Sequence, residues 1–229
     1  MITKARVSNL SSIGEEIELD FLKGGTKKEE GYFFYKKNEK ISLINGFFGA
    51  NASGKSNVLG FMVTLVRMMY TILSPQGVTG EVLLCNPNMH KNFQSKPTKL
   101  SIEFLFGRNY YTYDLEINDG NNITREELYL TTLDLKSAKP KEIFSRVGQI
   151  IDFGPEYKEY EAYSATINIQ KYQTFISHLI NIGAKAVIDF VEHRDAFFLR
   201  IDGLDLLVPS PVAIVNRALT LNSFPKDKK

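Results

Sequence analysis

Cysteine is almost missing: Cys85 stands alone among 229 residues. No disulfide can form within the chain, which fits a reducing compartment, and a cytoplasmic location is expected. A lone cysteine also cannot complete a structural zinc set, and His90 and His178 are isolated in the sequence, so no zinc is expected. The N-terminus, MITKARVSNL, lacks the apolar stretch of a secretory signal. No run of about 18 apolar residues occurs, so no membrane-spanning helix is expected. The longest apolar segment, 58–73, is interrupted by Gly60, Thr64, Arg67 and Thr71. A charge excess of one sign is lacking too. Lys and Arg number 28 against 26 Asp and Glu, a formal charge of +2, which argues neither for nor against nucleic acid.

What is present is enough apolar material for a sizeable core, 43% of the residues. The length suits one large domain or one domain carrying an insertion. Residues 2–7 and 15–21 read as strands, the second by strict polar–apolar alternation from Glu15 to Phe21. Residues 22–40 form a polar loop with six lysines against three glutamates and an aromatic cluster at Tyr32, Phe33, Phe34 and Tyr35. Ile41-Ser42-Leu43-Ile44-Asn45 is a short apolar run of the kind that makes a buried central strand. A nearly enclosed helix is predicted from Lys55 to Leu73, then a long proline-bearing loop over 74–99. Strands are predicted at 99–106, 110–117 and 123–130. The links between them, Gly107-Arg108-Asn109 and Asn118 to Asn122, have hairpin chemistry, so the three should form an antiparallel meander. A polar stretch, 136–141, follows, and helices are predicted over 162–182 and 184–195. The tail 225–229 should be loose.

The chemistry is concentrated in one segment. Gly49-Ala50-Asn51-Ala52-Ser53-Gly54-Lys55-Ser56 matches G-x-x-x-x-G-K-[ST]. Polyphosphate carries several negative charges and needs many donors at close range. Successive backbone N–H groups in a glycine-rich turn form a nest that supplies them. The helix that starts at the loop's end adds unpaired N–H groups and a positive dipole end. Gly49 and Gly54 permit backbone angles and close approach that a β-carbon would hinder. Lys55 supplies a point charge to the β- and γ-phosphates, and the Ser56 hydroxyl is a ligand for Mg²⁺. An apolar strand before the loop and an apolar helix after it are the context the motif requires. The expected ligand is ATP, or a close relative, with Mg²⁺, bound by residues 49–57.

The wider segment, Asn45-Gly46-Phe47-Phe48-Gly49 through Ser56-Asn57, resembles the ATP-binding cassette ATPases of the SMC, RecF and OLD type. Their phosphate loop tends to read G-x-N-x-[SA]-G-K-S-[NST], which Asn51 and Asn57 satisfy. Arg6-Val7-Ser8-Asn9-Leu10-Ser11-Ser12-Ile13 is similar to the opening N-F-x-S-F of that group, with leucine and isoleucine in place of phenylalanine. Residues 104–106, 110–117, 123–129 and Ile143-Phe144-Ser145-Arg146 resemble a stretch of bacterial AAA-type ATP-binding proteins related to abortive infection. The resemblance implies ATP binding, hydrolysis in a head-to-head dimer, and a setting in antiphage defence beside an effector nuclease or toxin. A DNA-repair ATPase of RecF type, or a non-hydrolysing ATP-binding scaffold, are the alternatives it leaves.

The same family needs an L-S-x-G-like signature, a Walker B run ending in Asp-Glu, and a late histidine. None stands in this sequence. Lys185-Ala186-Val187-Ile188-Asp189 imitates Walker B but is followed by Phe190, and Phe198 to Asp202 is followed by Gly203. Family members are commonly about twice this length, so the chain is expected to be the N-terminal part of a longer protein or a short form. The fold expected is α/β: a P-loop lobe with a mixed sheet around the 55–73 helix, with a meander beside it, over residues 1–160. A helical region over 161–229 should follow it.

Other residues carry weaker signals. Gln76 and Gln94 are candidates for a second contact to Mg²⁺, against the plainer reading of loop glutamines facing water. Asp189, Glu192, His193 and Asp195 would suit a metal-dependent nuclease only if they converged, and a solvated helix end explains them. Tyr110, Tyr111 and Tyr113 are candidates to stack on a base, but alternating residues of a meander more simply form a half-buried sheet face. The lysines of 23–40 beside Tyr32–Tyr35 read as a solvated loop rather than a contact to DNA or adenine.

Overall fold

The computed structural model describes residues 1–23, 33–36, 39–42, 45–51, 54–70, 92–118, 122–132 and 139–193. Seven strands form one antiparallel sheet: β1 (Ile2–Ser8), β2 (Ile17–Asp20), β6 (Thr98–Phe106), β7 (Asn109–Ile117), β8 (Ile123–Thr132), β9 (Lys141–Val147) and β10 (Ile150–Phe153). Their order across the sheet is β10-β9-β8-β7-β6-β1-β2. Three short strands, β3 (Leu22–Lys23), β4 (Phe33–Lys36) and β5 (Glu39–Ser42), make a second antiparallel sheet in the order β3-β5-β4. The helices are α1 (Lys55–Tyr70), α2 (Glu161–Thr166), α3 (Phe175–Asn181) and α4 (Ile188–Glu192), with 3₁₀ turns at Pro155–Tyr160 and Lys185–Val187.

The large sheet has the two faces that alternation demands. Ala5, Val7, Leu100, Ile102, Phe104, Tyr111, Tyr113, Leu115 and Leu128 are buried, and α1 and α3 contribute to the same core. Lys4, Arg6, Lys99, Glu103, Glu116, Arg125 and Glu127 alternate with those positions and point to the other face, where ion pairs such as Arg6–Glu18, Arg6–Glu103 and Arg125–Glu127 run between strands or along one. Phe190 of α4 enters an aromatic cluster. Its ring meets Phe104, Phe106 and Tyr111 edge-on at centroid distances of 5.3, 5.0 and 4.9 Å.

The meander appears at 98–106, 109–117 and 123–132, close to the expected spans. The expected mixed sheet does not: every described ladder is antiparallel. The 41–45 run was expected as a central strand of that sheet. Ile41 and Ser42 instead close β5 of the small sheet, with Ile41 only 1% exposed, while Leu43 and Ile44 lie outside the described residues. Enclosure of α1 is also less complete than expected. Its burial is concentrated at Phe61, Leu65, Met68, Met69 and Tyr70, so its first turns stay half-open.

The single helix expected over 162–182 is two. Between α2 and α3 the chain runs through Ile167-Asn168-Ile169-Gln170, whose β-branched isoleucines disfavour helix. The break buries Ile169 and lets the Lys171 carbonyl accept the Ile123 N–H at 2.7 Å. Likewise the described part of the stretch read as a helix over 184–195 is a 3₁₀ turn followed by the five residues of α4, and residues 194 and 195 lie outside the described ones. Strands β9 and β10 were not expected at all.

Strand β9 completes a buried polar knot. The Glu126 carboxylate on β8 is fully buried and caps α3, accepting the N–H of Phe175 at 2.7 Å and of Ile176 at 2.9 Å. The Tyr113 hydroxyl also donates to it, at 3.0 Å. Arg146 on β9, 1% exposed, approaches Glu126 at 3.4 Å and donates to the carbonyls of Gln173 at 2.6 Å and Gly148 at 2.8 Å. Burial pushes the Glu126 carboxyl up, while Arg146 and the N–H donors pull it back. Thr174 precedes α3 but does not cap it. Its hydroxyl donates to the Met68 carbonyl of α1 at 2.7 Å. The Tyr70 hydroxyl reaches the Phe190 carbonyl at 3.2 Å. Sheet, α3, α4 and the far part of α1 are thus bonded into one block.

Candidate functional site

α1 leaves that block and points its first turn at a glycine-rich segment. Asn45 to Asn51 has no regular structure, and Gly49, Ala50 and Asn51 are exposed. Ala52 and Ser53 lie outside the described residues. Gly54 adopts φ +89°, in the left-handed region where a β-carbon is strained. A β-carbon there would also lie 3.0 Å from the Ser12 hydroxyl oxygen. The Gly54 carbonyl accepts the Val58 N–H at 3.0 Å, the first bond of the helix ladder. Helix geometry therefore leaves the N–H groups of Lys55, Ser56 and Asn57 without acceptors inside the helix.

Two features make this end suited to an anion. No acidic residue occupies the first turn of α1, so no side chain of that turn neutralises the positive end of the dipole. The Lys55 ammonium folds back over the loop, donating to the carbonyls of Gly49 at 3.0 Å and Ala50 at 2.5 Å. One cation, the loop backbone and the helix N-terminus thus meet at one place. Ser56, the candidate Mg²⁺ ligand, follows with its side chain exposed. Asn57 bonds across to the turn after β1. Its amide donates to the Ser12 hydroxyl at 2.8 Å.

Ser12 is the contributor that the phosphate-loop pattern did not mark. It sits on the tight turn between β1 and β2, where Leu10 and Ile13 exchange two backbone bonds of 2.8 Å. Asn9 and Ser11 there hold φ of 52° and 51°, uncommon for residues other than glycine. Asn9 is locked in place. Its amide donates to the carbonyls of Phe93 at 3.0 Å and Lys96 at 2.5 Å, and its carbonyl accepts from Thr98 at 2.7 Å. Asparagine tolerates this backbone region better than most residues. The turn thereby carries Ser12 against the start of α1.

The remaining candidates separate from this site. Asp189 is on α4, not at the end of a strand, and its carboxylate accepts from Tyr111 and Asn109 at 2.8 Å each. It ties α4 to β7. Burial, then the Asp189 bond, pushes the Tyr111 phenol well up. Tyr111 and Tyr113 are 2% and 0% exposed, so neither can stack on a base. Glu192 and His193 are exposed at the end of α4, and no metal-binding cluster of three or more His, Cys, Asp or Glu occurs among the described residues. His178 sits on α3, its pKa lowered by burial and by nearby Arg146. Gln94 lies exposed on the turn over 92–95. Gln76, His90, Asp195, Asp202 and Tyr32 lie outside the described residues.

The polar face of the large sheet holds a cavity of about 370 Å³, lined in part by Arg6, Lys99, Ser101, Asp114, Arg125 and Glu127. Its three cations, Arg6, Lys99 and Arg125, are each paired with a carboxylate. Among the described residues no helix is long and apolar enough to cross a membrane. Comparison with protein-family models and with curated proteins finds no match.

Proposed function

We propose that the chain binds ATP with Mg²⁺ at the loop of residues 49–57, and that the loop with α1 is a P-loop NTPase lobe of ABC/SMC-like type. The observation that carries this is the position of the Lys55 ammonium, held by the loop's own carbonyls at the start of a helix whose first turn has no acidic residue. The residues fit the group. The loop backbone and the N–H groups of Lys55 to Asn57 would hold the phosphates, Lys55 would offset their charge, and the Ser56 hydroxyl would hold Mg²⁺. Bound Mg²⁺ supplies charge neutralisation between phosphate oxygens.

A specific observation favours binding over turnover in this chain. Hydrolysis needs a carboxylate to hold the metal and a group to orient water. Of the two aspartates that end an apolar run, Asp189 bonds Tyr111 and Asn109 instead, and Asp202 lies outside the described residues. The reading is therefore of a nucleotide-binding lobe, with hydrolysis reserved for an assembly that brings further motifs. Head-to-head pairing of such lobes, and service beside an effector nuclease or toxin in antiphage defence, complete the proposal on the strength of the sequence resemblance. The paired cations of the sheet's polar face give no support to DNA loading there.

The test is calorimetry of Mg·ATP on the wild-type chain and on Lys55→Ala, with phosphate release followed in the same samples. Binding by the wild type alone, without release, is the expected result. No binding by either protein would end the proposal. A second variant checks the loop's shape. Gly54→Ala places a β-carbon at φ +89° beside Ser12, a strain of about 1–3 kcal/mol, and should weaken Mg·ATP by roughly tenfold or more. Unchanged affinity would mean that the phosphates do not need Gly54 in this conformation.

A further inference from the structure

The polar face of the large sheet carries one cross-strand row of Arg6, Ser101, Asp114 and Glu127, over β1, β6, β7 and β8, each directly opposite the next. Opposed side chains on one face start about 4.5–5.5 Å apart, so the four stand side by side. All four line the cavity of about 370 Å³, a size that suits a small molecule. Among the described residues that line it are three cations and four carboxylates, and their pairing is uneven. Arg6 pairs with Glu18 and Glu103, Lys99 with Glu116, and Arg125 with Glu127. Asp114 and Glu16 are the lining carboxylates in no salt bridge with a described residue. Asp114 is half-buried, with the Glu127 carboxylate opposite it. Burial pushes its carboxyl up; nearby Ser101, Arg6 and Arg125 offset this only in part, and Glu127 adds to it. The Ser101 hydroxyl, on the other side of Asp114, is buried and has no partner at hydrogen-bond geometry. A carboxylate without an ion pair beside a hydroxyl without a bond is a costly arrangement for a cavity wall.

We infer that this cavity binds a small primary amine, its ammonium group held between the Asp114 carboxylate and the Ser101 hydroxyl. An ammonium is compact and carries three donors and no acceptor, which matches one ionised carboxylate and one hydroxyl oxygen. Its bond to Asp114 is charge-assisted, the stronger kind. Glu16, also free of a salt bridge, adds negative potential at the same cavity. An anion is disfavoured there, because it would meet Asp114 and Glu127 while the three cations are already engaged. A metal ion fits less well than an organic cation, since no group of three or more His, Cys, Asp or Glu that could hold one occurs among the described residues. The site is separate from the phosphate loop and does not depend on the reading of 49–57.

The experiment follows backbone amide shifts by NMR while the chain is titrated with butylamine or with tetramethylammonium, at neutral pH and fixed ionic strength. Tetramethylammonium has the charge and no N–H donor. Butylamine should move the amides around Ser101, Asp114 and Glu127 along a saturating curve, and tetramethylammonium should not. Asp114→Asn, which keeps the shape and removes the charge, should weaken butylamine by roughly tenfold or more, and Ser101→Ala by roughly three- to tenfold. The variants' own amide spectra report whether they fold, and if Asp114→Asn does not, Ser101→Ala decides alone. Absence of localised shifts up to about 10 mM butylamine overturns the proposal and leaves the cavity to water. An equal response to tetramethylammonium also overturns it, because the face would then attract any cation. So does an unchanged butylamine affinity in a folded Asp114→Asn variant.

Discussion

Arg146→Met is expected to destabilise the protein by about 3–5 kcal/mol, although Arg146 touches no part of the candidate site. The guanidinium is 1% exposed and faces the fully buried Glu126 carboxylate. Taking both ions out of water is costly, and only their mutual attraction and the surrounding donors offset it. Methionine replaces the stem and removes the charge. Glu126 then keeps its bonds to Phe175, Ile176 and Tyr113 but loses its one cation, and the carbonyls of Gln173 and Gly148 lose a donor. Urea unfolding measures the change, and for a chain of this size it corresponds to a melting point lower by roughly 6–20 °C. A loss below about 1 kcal/mol would show that the pair does not carry the junction of β8, β9 and α3. Glu126→Leu should cost at least as much, because it also uncaps α3. The double variant should cost less than the sum of the two, since each single change already breaks the shared pair.

This knot shows what the sequence could and could not disclose. Alternation was legible wherever one face of a strand is buried and the other solvated, so the meander and the first two strands were placed within a few residues. Strand β9 broke that pattern. Its buried positions include Arg146, a residue that reads as surface, and the adjacent pair Ile143 and Phe144, where the register with β8 shifts. The signal that would have found it was the turn. Val147-Gly148-Gln149-Ile150 is a two-residue hairpin link with its glycine at φ +60°. Helices after residue 160 were over-extended because Ile, Leu and Phe spacing alone fits a helix. The Ile169 segment answers to the sheet instead, through the bond from Ile123 to Lys171. The small sheet around β5 was hidden for another reason. A short apolar run before a glycine loop does not say which strands it joins.

The candidate site was argued from residue spacing alone, and the structure adds the surroundings that spacing does not give. Gly54 holds the positive φ that the pattern reserves for glycine, and the Lys55 ammonium reaches the carbonyls of Gly49 and Ala50. Asn57 was read as part of the phosphate-binding run 49–57, and its side-chain amide bonds Ser12, 45 residues earlier. No periodicity links two such positions. The strained turn at Asn9 and Ser11 was the available clue, because asparagine and serine are common where the chain reverses tightly. Asp189 illustrates the opposite error that pattern alone invites. Its apolar prefix imitates a buried strand, yet the chain there is a 3₁₀ turn leading into α4, and the carboxylate serves tertiary packing.

Lys55→Ala should abolish detectable Mg·ATP binding, a loss of a hundredfold or more, while the fold persists. A hydrogen bond to a charged group is worth about 1.5–3 kcal/mol, and the ammonium would meet more than one phosphate oxygen. The two bonds it makes to Gly49 and Ala50 lie at the surface, and α1 is anchored at its other end by Phe61, Leu65, Met68 and Met69. Melting temperature should therefore change little, which separates a binding defect from unfolding. Lys55→Arg sharpens the test. It keeps the charge but replaces a compact ammonium by a planar fork that cannot sit over the loop in the same way. If the site needs only positive charge, arginine restores most of the affinity. If it needs a point donor between phosphates, arginine behaves like alanine, and that is the result the geometry of the loop predicts.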